Sequence, residues 1–250
     1  MKLLRVGLCG FIALLFCSFV SESAGPNVIT LGLNTPGVGA VSGTTLQVFE
    51  LNNRKGLKDM QGKILIPAKY DEIGWSNKAS EPVESVIGYK FNGFWGITTL
   101  ADEQVTKPVY RDLYPLSNGQ IKASRTDPSE HFLYYGVLDV NGAAIIGFQY
   151  YDLQPSGNNY IAALYKSQSV SYGLISGREQ ALIAFEYRRV SSLGSGLYSA
   201  VNSLEKATVY TSAGVKLPNE AFDSLSRLSN DLLVVSKEGK LGLMKNDGSY

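Results

Sequence analysis

The sequence predicts an all-β fold: a tandem array of antiparallel β-hairpin or meander repeats of about forty residues, blade-like units in an open arc or propeller-like arrangement. Three observations predict it. Columns of glycine, aliphatic and aromatic residues recur along the chain at steps of 40, 40, 37, 35 and 34 residues. Fifteen tyrosines and 26 glycines favour strands separated by turns. Apolar runs are short and bounded by Gly, Asn and Pro, which excludes long helices.

The N-terminus carries an address. Lys2 and Arg5 precede an uncharged, mostly apolar run from Val6 to Val20, and Ser21-Glu-Ser-Ala24 then offers small residues around a cut. This is the pattern of a cleaved secretory signal, expected over residues 1–23 with cleavage after Ser23. The run is short for a membrane-spanning helix, which needs about twenty apolar residues. Phe16 precedes Cys17 where lipid attachment requires a small residue. Both cysteines, Cys9 and Cys17, lie inside the signal, so the mature chain has none and relies on packing in an oxidising compartment. Loss of Lys2, Arg5 and Glu22 leaves 21 basic and 21 acidic residues, a balance that argues against nucleic acid as a partner. The expected location is the periplasm, cell envelope or extracellular space, with no membrane span after cleavage.

Residues 24–45 read as a Gly-rich linker or weak edge strand, with Pro26, Pro36 and no charge from Gly25 to Thr45. Gly37-Val-Gly39-Ala-Val-Ser-Gly43 misses the dinucleotide-binding spacing by one residue, and no helix pattern follows it.

The repeat array is expected over residues 46–250. Its origins are Gly56, Gly96, Gly136, Gly173 and Thr208, with a partial unit at Gly242. An aliphatic residue follows each origin: Leu57, Ile97, Val137, Leu174, Val209 and Leu243. Six residues on stands Gly62, Asp102, Gly142, Glu179, Gly214 or Gly248, where a hairpin turn needs positive φ. Asp102 and Glu179 depart from glycine, which predicts another turn form there. Fourteen residues on is always aromatic: Tyr70, Tyr110, Tyr150, Tyr187 and Phe222. Seventeen on is aliphatic again, and an apolar run such as Val86–Phe91 closes the unit. Two hairpin strands, a short third strand and a closing fourth account for these columns. One unit cannot bury its own apolar face, so neighbours must stack, with a shared, continuous core and the aromatic column packed between units. Leu46–Leu51 matches a closing strand and Leu241–Asp247 an opening one, which favours an open arc over a sealed ring. The chain stops at Tyr250 in mid-unit, either as its natural end or as part of a longer array.

These residues resemble the bacterial WG-repeat family, whose motif is an aromatic-Gly pair, a Gly-Lys turn and Ile-Pro-x-x-Tyr-Asp. The best match is Gly62-Lys-Ile-Leu-Ile-Pro67-Ala-Lys-Tyr70-Asp71, and Trp95-Gly96 is the literal pair. Tyr135-Gly136 and Tyr172-Gly173 are aromatic substitutes. The resemblance implies a β-rich repeat array common in exported or modular proteins, and it transfers no catalytic residue.

No catalytic, cofactor-binding or metal-binding residue is assigned. His131 is the only histidine, so no zinc cluster can be assembled and a Ser-His-Asp triad would need His131 itself; it reads as a solvated loop residue in Asp127-Pro-Ser-Glu130-His131. The acids Asp71, Glu72, Asp102, Glu103, Asp112, Asp152 and Asp223 recur with the repeat, which points to turn or backbone-capping roles and away from a glycosidase pair. The expected function is a non-catalytic interaction module with a protein or glycan partner. Two alternatives stand beside it. One is an exported hydrolase with its site in the least repetitive stretches, Ser76–Ser85, Ser117–Tyr134 and Ser167–Ser171. The other is an architectural or shell subunit.

Overall fold

In the computed structural model, residues 28–29, 46–127, 129, 131–218 and 221–250 are described. The proposed signal lies outside them, as does the linker apart from Val28–Ile29. No helix occurs among the described residues.

Six antiparallel sheets follow one another along the chain. The first contains β1 (Val28–Ile29), β2 (Leu46–Leu51), β3 (Arg54–Asp59) and β4 (Ile64–Tyr70). The second contains β5 (Glu72–Ile73), β6 (Val86–Phe91) and β7 (Phe94–Thr99). The third runs from β8 (Asp112–Pro115) through β9 (Ile121–Thr126) and β10 (Leu133–Leu138) to β11 (Ala144–Tyr150). The fourth holds β12 (Asp152–Ser156), β13 (Asn159–Lys166), β14 (Ser169–Ser176) and β15 (Ala181–Tyr187). The fifth holds β16 (Arg189–Gly194), β17 (Leu197–Val201) and β18 (Ala207–Thr211). The sixth holds β19 (Ser224–Arg227), β20 (Leu232–Lys237) and β21 (Lys240–Lys245). In the second and fifth sheets the fourth position is taken by irregular segments, bridged at Trp95–Tyr110 and Ala207–Phe222.

The sequence repeat is offset from the sheets. Each unit's opening hairpin completes one sheet, and its last two strands begin the next. The register repeats accordingly. The residue before each origin faces the conserved aromatic: Lys55–Tyr70, Trp95–Tyr110, Tyr135–Tyr150, Tyr172–Tyr187 and Ala207–Phe222. Leu57–Ile66, Val137–Ile146 and Leu174–Ile183 form the next pair inward, so the fourth strand bulges between the two pairs. Pro67 sits in that bulge of β4, where a missing N–H costs little.

The six hairpin turns are alike. In each, the residue three after the origin accepts the N–H of the residue six after, as in Gly62 N to Asp59 O at 3.1 Å and Glu179 N to Ser176 O at 2.9 Å. Asp102 and Glu179 therefore adopt the same turn as the glycines, at φ 65° and 63°, which corrects the expectation of another form. The side chains of Asp59, Thr99, Asp139, Ser176 and Thr211 cap these turns by accepting local N–H groups. That polar column escaped the sequence reading, although spacing alone displays it.

The core differs from the expected continuous one. It is divided into five clusters, each shared by two successive sheets. No such cluster joins the sixth sheet to the first among the described residues. The aromatic column lies within these junctions, with Tyr110 2% exposed and Tyr150 3%. At four successive junctions it meets a ring of the next sheet: Tyr70–Tyr89, Tyr110–Phe148, Tyr150–Phe185 and Tyr187–Tyr210.

The same rings explain the origin glycines. A Cβ on Gly96 would lie 2.7 Å from the Tyr89 ring; one on Gly173 would lie 2.7 Å from Ile183 O and 3.1 Å from the Phe185 ring. The covering ring comes from the second strand at Phe49 and Tyr89, and from the fourth strand at Phe148 and Phe185. Where the fourth strand supplies it, the cross-strand partner of the glycine shrinks to Ala123 or Ala162.

Candidate functional site

Asp71, Glu72, Asp102, Asp112, Asp152 and Asp223 each have a side-chain partner. Asp71 and Asp223 pair with Arg54 and Lys206, seventeen residues earlier in each case. Asp223 also accepts the Glu238 N–H at 2.6 Å, and the Lys206 ammonium beside it holds its carboxyl below the usual range. Glu72 pairs with Lys55. Asp102 accepts Lys69 Nζ at 2.7 Å and the Tyr70 hydroxyl at 3.1 Å. Glu179 reaches back in the same way, accepting Gln149 Nε2 at 2.7 Å and Gly147 N at 3.1 Å. The two non-glycine turn residues thus fasten their sheet to the preceding one.

The repeat is interrupted at the junction of the third and fourth sheets. The residue after the conserved aromatic is charged elsewhere, at Asp71, Arg111, Arg188 and Asp223, but here it is Tyr151, 40% exposed. Its ring lies 6.2 Å from Phe132 and 5.8 Å from Tyr165, and those two lie 5.0 Å apart. Phe132 is placed by the turn that joins β9 to β10. There Asp127 Oδ1 accepts the Phe132 N–H at 3.0 Å, and Asp127 N donates to Phe132 O at 2.9 Å. The Ser129 hydroxyl, with the Phe132 N–H, holds the Asp127 carboxyl below its usual range. His131 is exposed on this turn, and Glu130 lies outside the described residues. One of the three least repetitive stretches, Ser117–Tyr134, thus contributes Phe132 to the patch, and Tyr165 comes from β13, outside all three.

A polar group flanks this patch. Lys122 on β9 lies 4.4 Å above the Tyr135 ring and 3.9 Å from Asp152 Oδ1, which immediately follows Tyr151. Burial pushes the Lys122 ammonium below its ordinary range, against the opposing pull of Asp152 and Asp112. Asp112 accepts the Ser124 hydroxyl at 2.9 Å. Nearby, Arg125 lies 4.7 Å from the Tyr110 ring and 4.4 Å from Phe148, and donates to the Tyr110 hydroxyl at 3.0 Å. The arrangement joins a partly exposed aromatic surface to fixed charges of both signs. Among the described residues no cluster of His, Cys, Asp and Glu could hold a metal ion.

The junction tyrosines have a consequence for pH. Burial, reinforced by Glu179 at Tyr150 and by the Tyr210 hydroxyl at Tyr187, pushes both phenols well above their ordinary value. A folded-state value above that of the unfolded chain favours the protonated form. The stabilisation is complete below pH ~10 and is lost as pH rises from there through the raised values. Alkaline titration followed by phenolate absorbance and circular dichroism is expected to show these groups ionising with unfolding. Tyr150→Phe and Tyr187→Phe should flatten the alkaline slope of stability.

Comparison with known proteins places these observations. The family model described as WG containing repeat matches residues 56–78, the first hairpin with its Ile-Pro-x-x-Tyr-Asp segment. No curated protein matches the sequence. Among solved structures, a eukaryotic initiation factor is similar at 13% identity and a TM-score of 0.42, over 82% of this chain and 61% of that one. A putative TolB from Agrobacterium tumefaciens is similar at 14% identity and a TM-score of 0.31, over 82% and 86% of the two chains. The Dos1 propeller is similar at 13% identity and a TM-score of 0.32, over 84% and 66%. This chain spans less than two thirds of the length of the initiation factor. The chain thus carries a WG containing repeat at residues 56–78, and the turn and aromatic register of that hairpin recur along the described residues.

Proposed function

We propose that this chain is an exported, non-catalytic interaction module of the cell envelope or extracellular space, and that it binds a protein partner through the Phe132–Tyr151–Tyr165 patch. The charged N-terminal start, apolar run and small-residue cut support export. The observation that carries the binding reading is Tyr151, an exposed aromatic where four other units hold a charge. Tyrosine and phenylalanine are enriched at protein interfaces, and tyrosine is among the residues that concentrate binding energy there. The charges of Asp152, which follows Tyr151, and of its partner Lys122 would set orientation at the rim.

The test is capture from envelope extracts, repeated with Tyr151→Ala/Tyr165→Ala. A genuine partner is expected to lose about thirtyfold or more in affinity, the loss of a hot spot of about 2 kcal/mol. Unfolding of the variant is followed in parallel to exclude loss of fold. A partner that binds the variant as well as the parent, or turnover on a panel of hydrolase substrates, counts against the proposal. Binding of a glycan array in place of any protein would move the same patch to the other partner class.

A further inference from the structure

A second feature lies at the other end of β12, away from Tyr151. The hairpin joining β12 to β13, the hairpin joining β16 to β17, and the turn after β18 line an open cavity of about 560 Å³. That volume falls in the range of small-ligand sites, about 300–1,000 Å³. Its lining consists of Ser, Asn, Gly, Ala and Tyr residues, without a charged side chain. Two of the polar residues are buried in its wall, Asn159 at 9% exposure and Tyr198 at 4%. Asn159 Nδ2 donates to Ser212 O at 2.8 Å, and the Tyr198 hydroxyl donates to Ser156 O at 2.9 Å. The rim is held by tight turns, with positive φ at Gly157, Gly194, Ser195 and Gly196.

The next junction shows why this space is open. Arg227 stands nineteen residues after Thr208, as Ser192 stands nineteen after Gly173. Both occupy the same register, Arg227 facing Leu233 and Ser192 facing Tyr198. Arg227 plugs its junction: the guanidinium donates to Leu193 O, to Gly194 O at 2.9 Å, to Ser229 O at 2.7 Å and to Asn230 O at 2.8 Å. Ser192 is too short to do the same against the 156–159 hairpin, and the cavity remains.

We infer that this cavity is a binding site for a neutral oligosaccharide. A charged ligand would find no counter-charge in the lining. An apolar one would strand the serine and asparagine groups without hydrogen-bond partners, a cost of about 1–3 kcal/mol for each group so buried. A neutral polyol offers both donors and acceptors to hydroxyl and amide walls. The inference goes beyond the proposed function and is independent of the aromatic patch, because the two lie at opposite ends of β12.

The test is titration calorimetry of the full chain with neutral glucose, mannose, galactose and N-acetylglucosamine oligomers, alongside uronic-acid oligomers. At least one neutral series is expected to bind. Ser192→Arg, which copies the natural plug, should weaken that binding about tenfold or more, while Tyr151→Ala leaves it unchanged. Hydrogen exchange provides a readout that needs no variant: the bound sugar should protect 156–159, 192–196 and 212–213. The inference is overturned if no neutral oligomer binds, if uronic-acid oligomers bind more tightly, if a folded Ser192→Arg binds as the parent does, or if protection falls elsewhere. Loss of sugar binding in Tyr151→Ala with protection at the patch would assign the sugar to the patch and equally overturn it.

Discussion

Tyr110→Ala is expected to cost about 3–5 kcal/mol of stability, the toll of removing a large buried ring. Tyr110 is 2% exposed and belongs to the core between the second and third sheets, with Trp95, Ile97, Leu113, Ile121 and Leu138. Its ring stacks on Phe148 at 5.8 Å, and its hydroxyl accepts from Arg125. The deletion opens a cavity whose walls belong to two sheets joined mainly through that core, so collapse around it is limited. Tyr110→Phe keeps the ring and loses only the hydrogen bond, and should cost about 0.5–1.5 kcal/mol. Urea denaturation measures both. A loss below about 1 kcal/mol for the alanine variant would remove this ring from any central role in the junction.

Gly214→Ala is expected to be the most damaging of the turn substitutions, and Gly62→Ala the control that explains it. Both glycines stand six residues after an origin, with φ of 79° and 84°. A Cβ on Gly62 meets nothing within 4 Å, so alanine there should cost only the left-handed backbone penalty of about 1–2 kcal/mol. A Cβ on Gly214 would lie 2.2 Å from Leu182 O, in the neighbouring sheet. Relief requires the fourth and fifth sheets to separate, so the cost should exceed that of Gly62→Ala by about 1–3 kcal/mol, as overpacking does. Thermal unfolding of the two variants makes the comparison. Equal losses would mean that the turns do not set the spacing between sheets. Asp102→Gly gives a third reading of the same position: it releases the backbone penalty but gives up the contacts to Lys69 and Tyr70, so its net effect should be small.

Much of the fold was legible because its strongest requirements are local. Positive φ at Gly62 or Gly142 depends on the turn itself, and so does the alternation that buries Leu57 against Ile66. The tyrosine column was readable as packing because a lone sheet cannot bury it. Asp102 and Glu179 misled the turn assignment because an acid at positive φ is tolerated once the preceding polar residue caps the turn and the carboxylate finds a partner in the sheet before it. That partner lies about thirty residues away, and no local pattern announces it.

From the chain alone come the all-β class, the repeat with its origins, the turn positions and the aromatic column, since each reflects what a backbone turn or an alternating strand requires of its own neighbours. Tertiary structure alone decided that a unit straddles two sheets and that the core is divided into five junctions. It also decided that the ring over each origin glycine is supplied from either side, at Tyr89 or at Phe148. The two candidate sites belong with these. The Tyr151 patch and the space left by Ser192 arise where side chains of different sheets meet or fail to meet, and contact between sheets depends on distances that no single strand encodes.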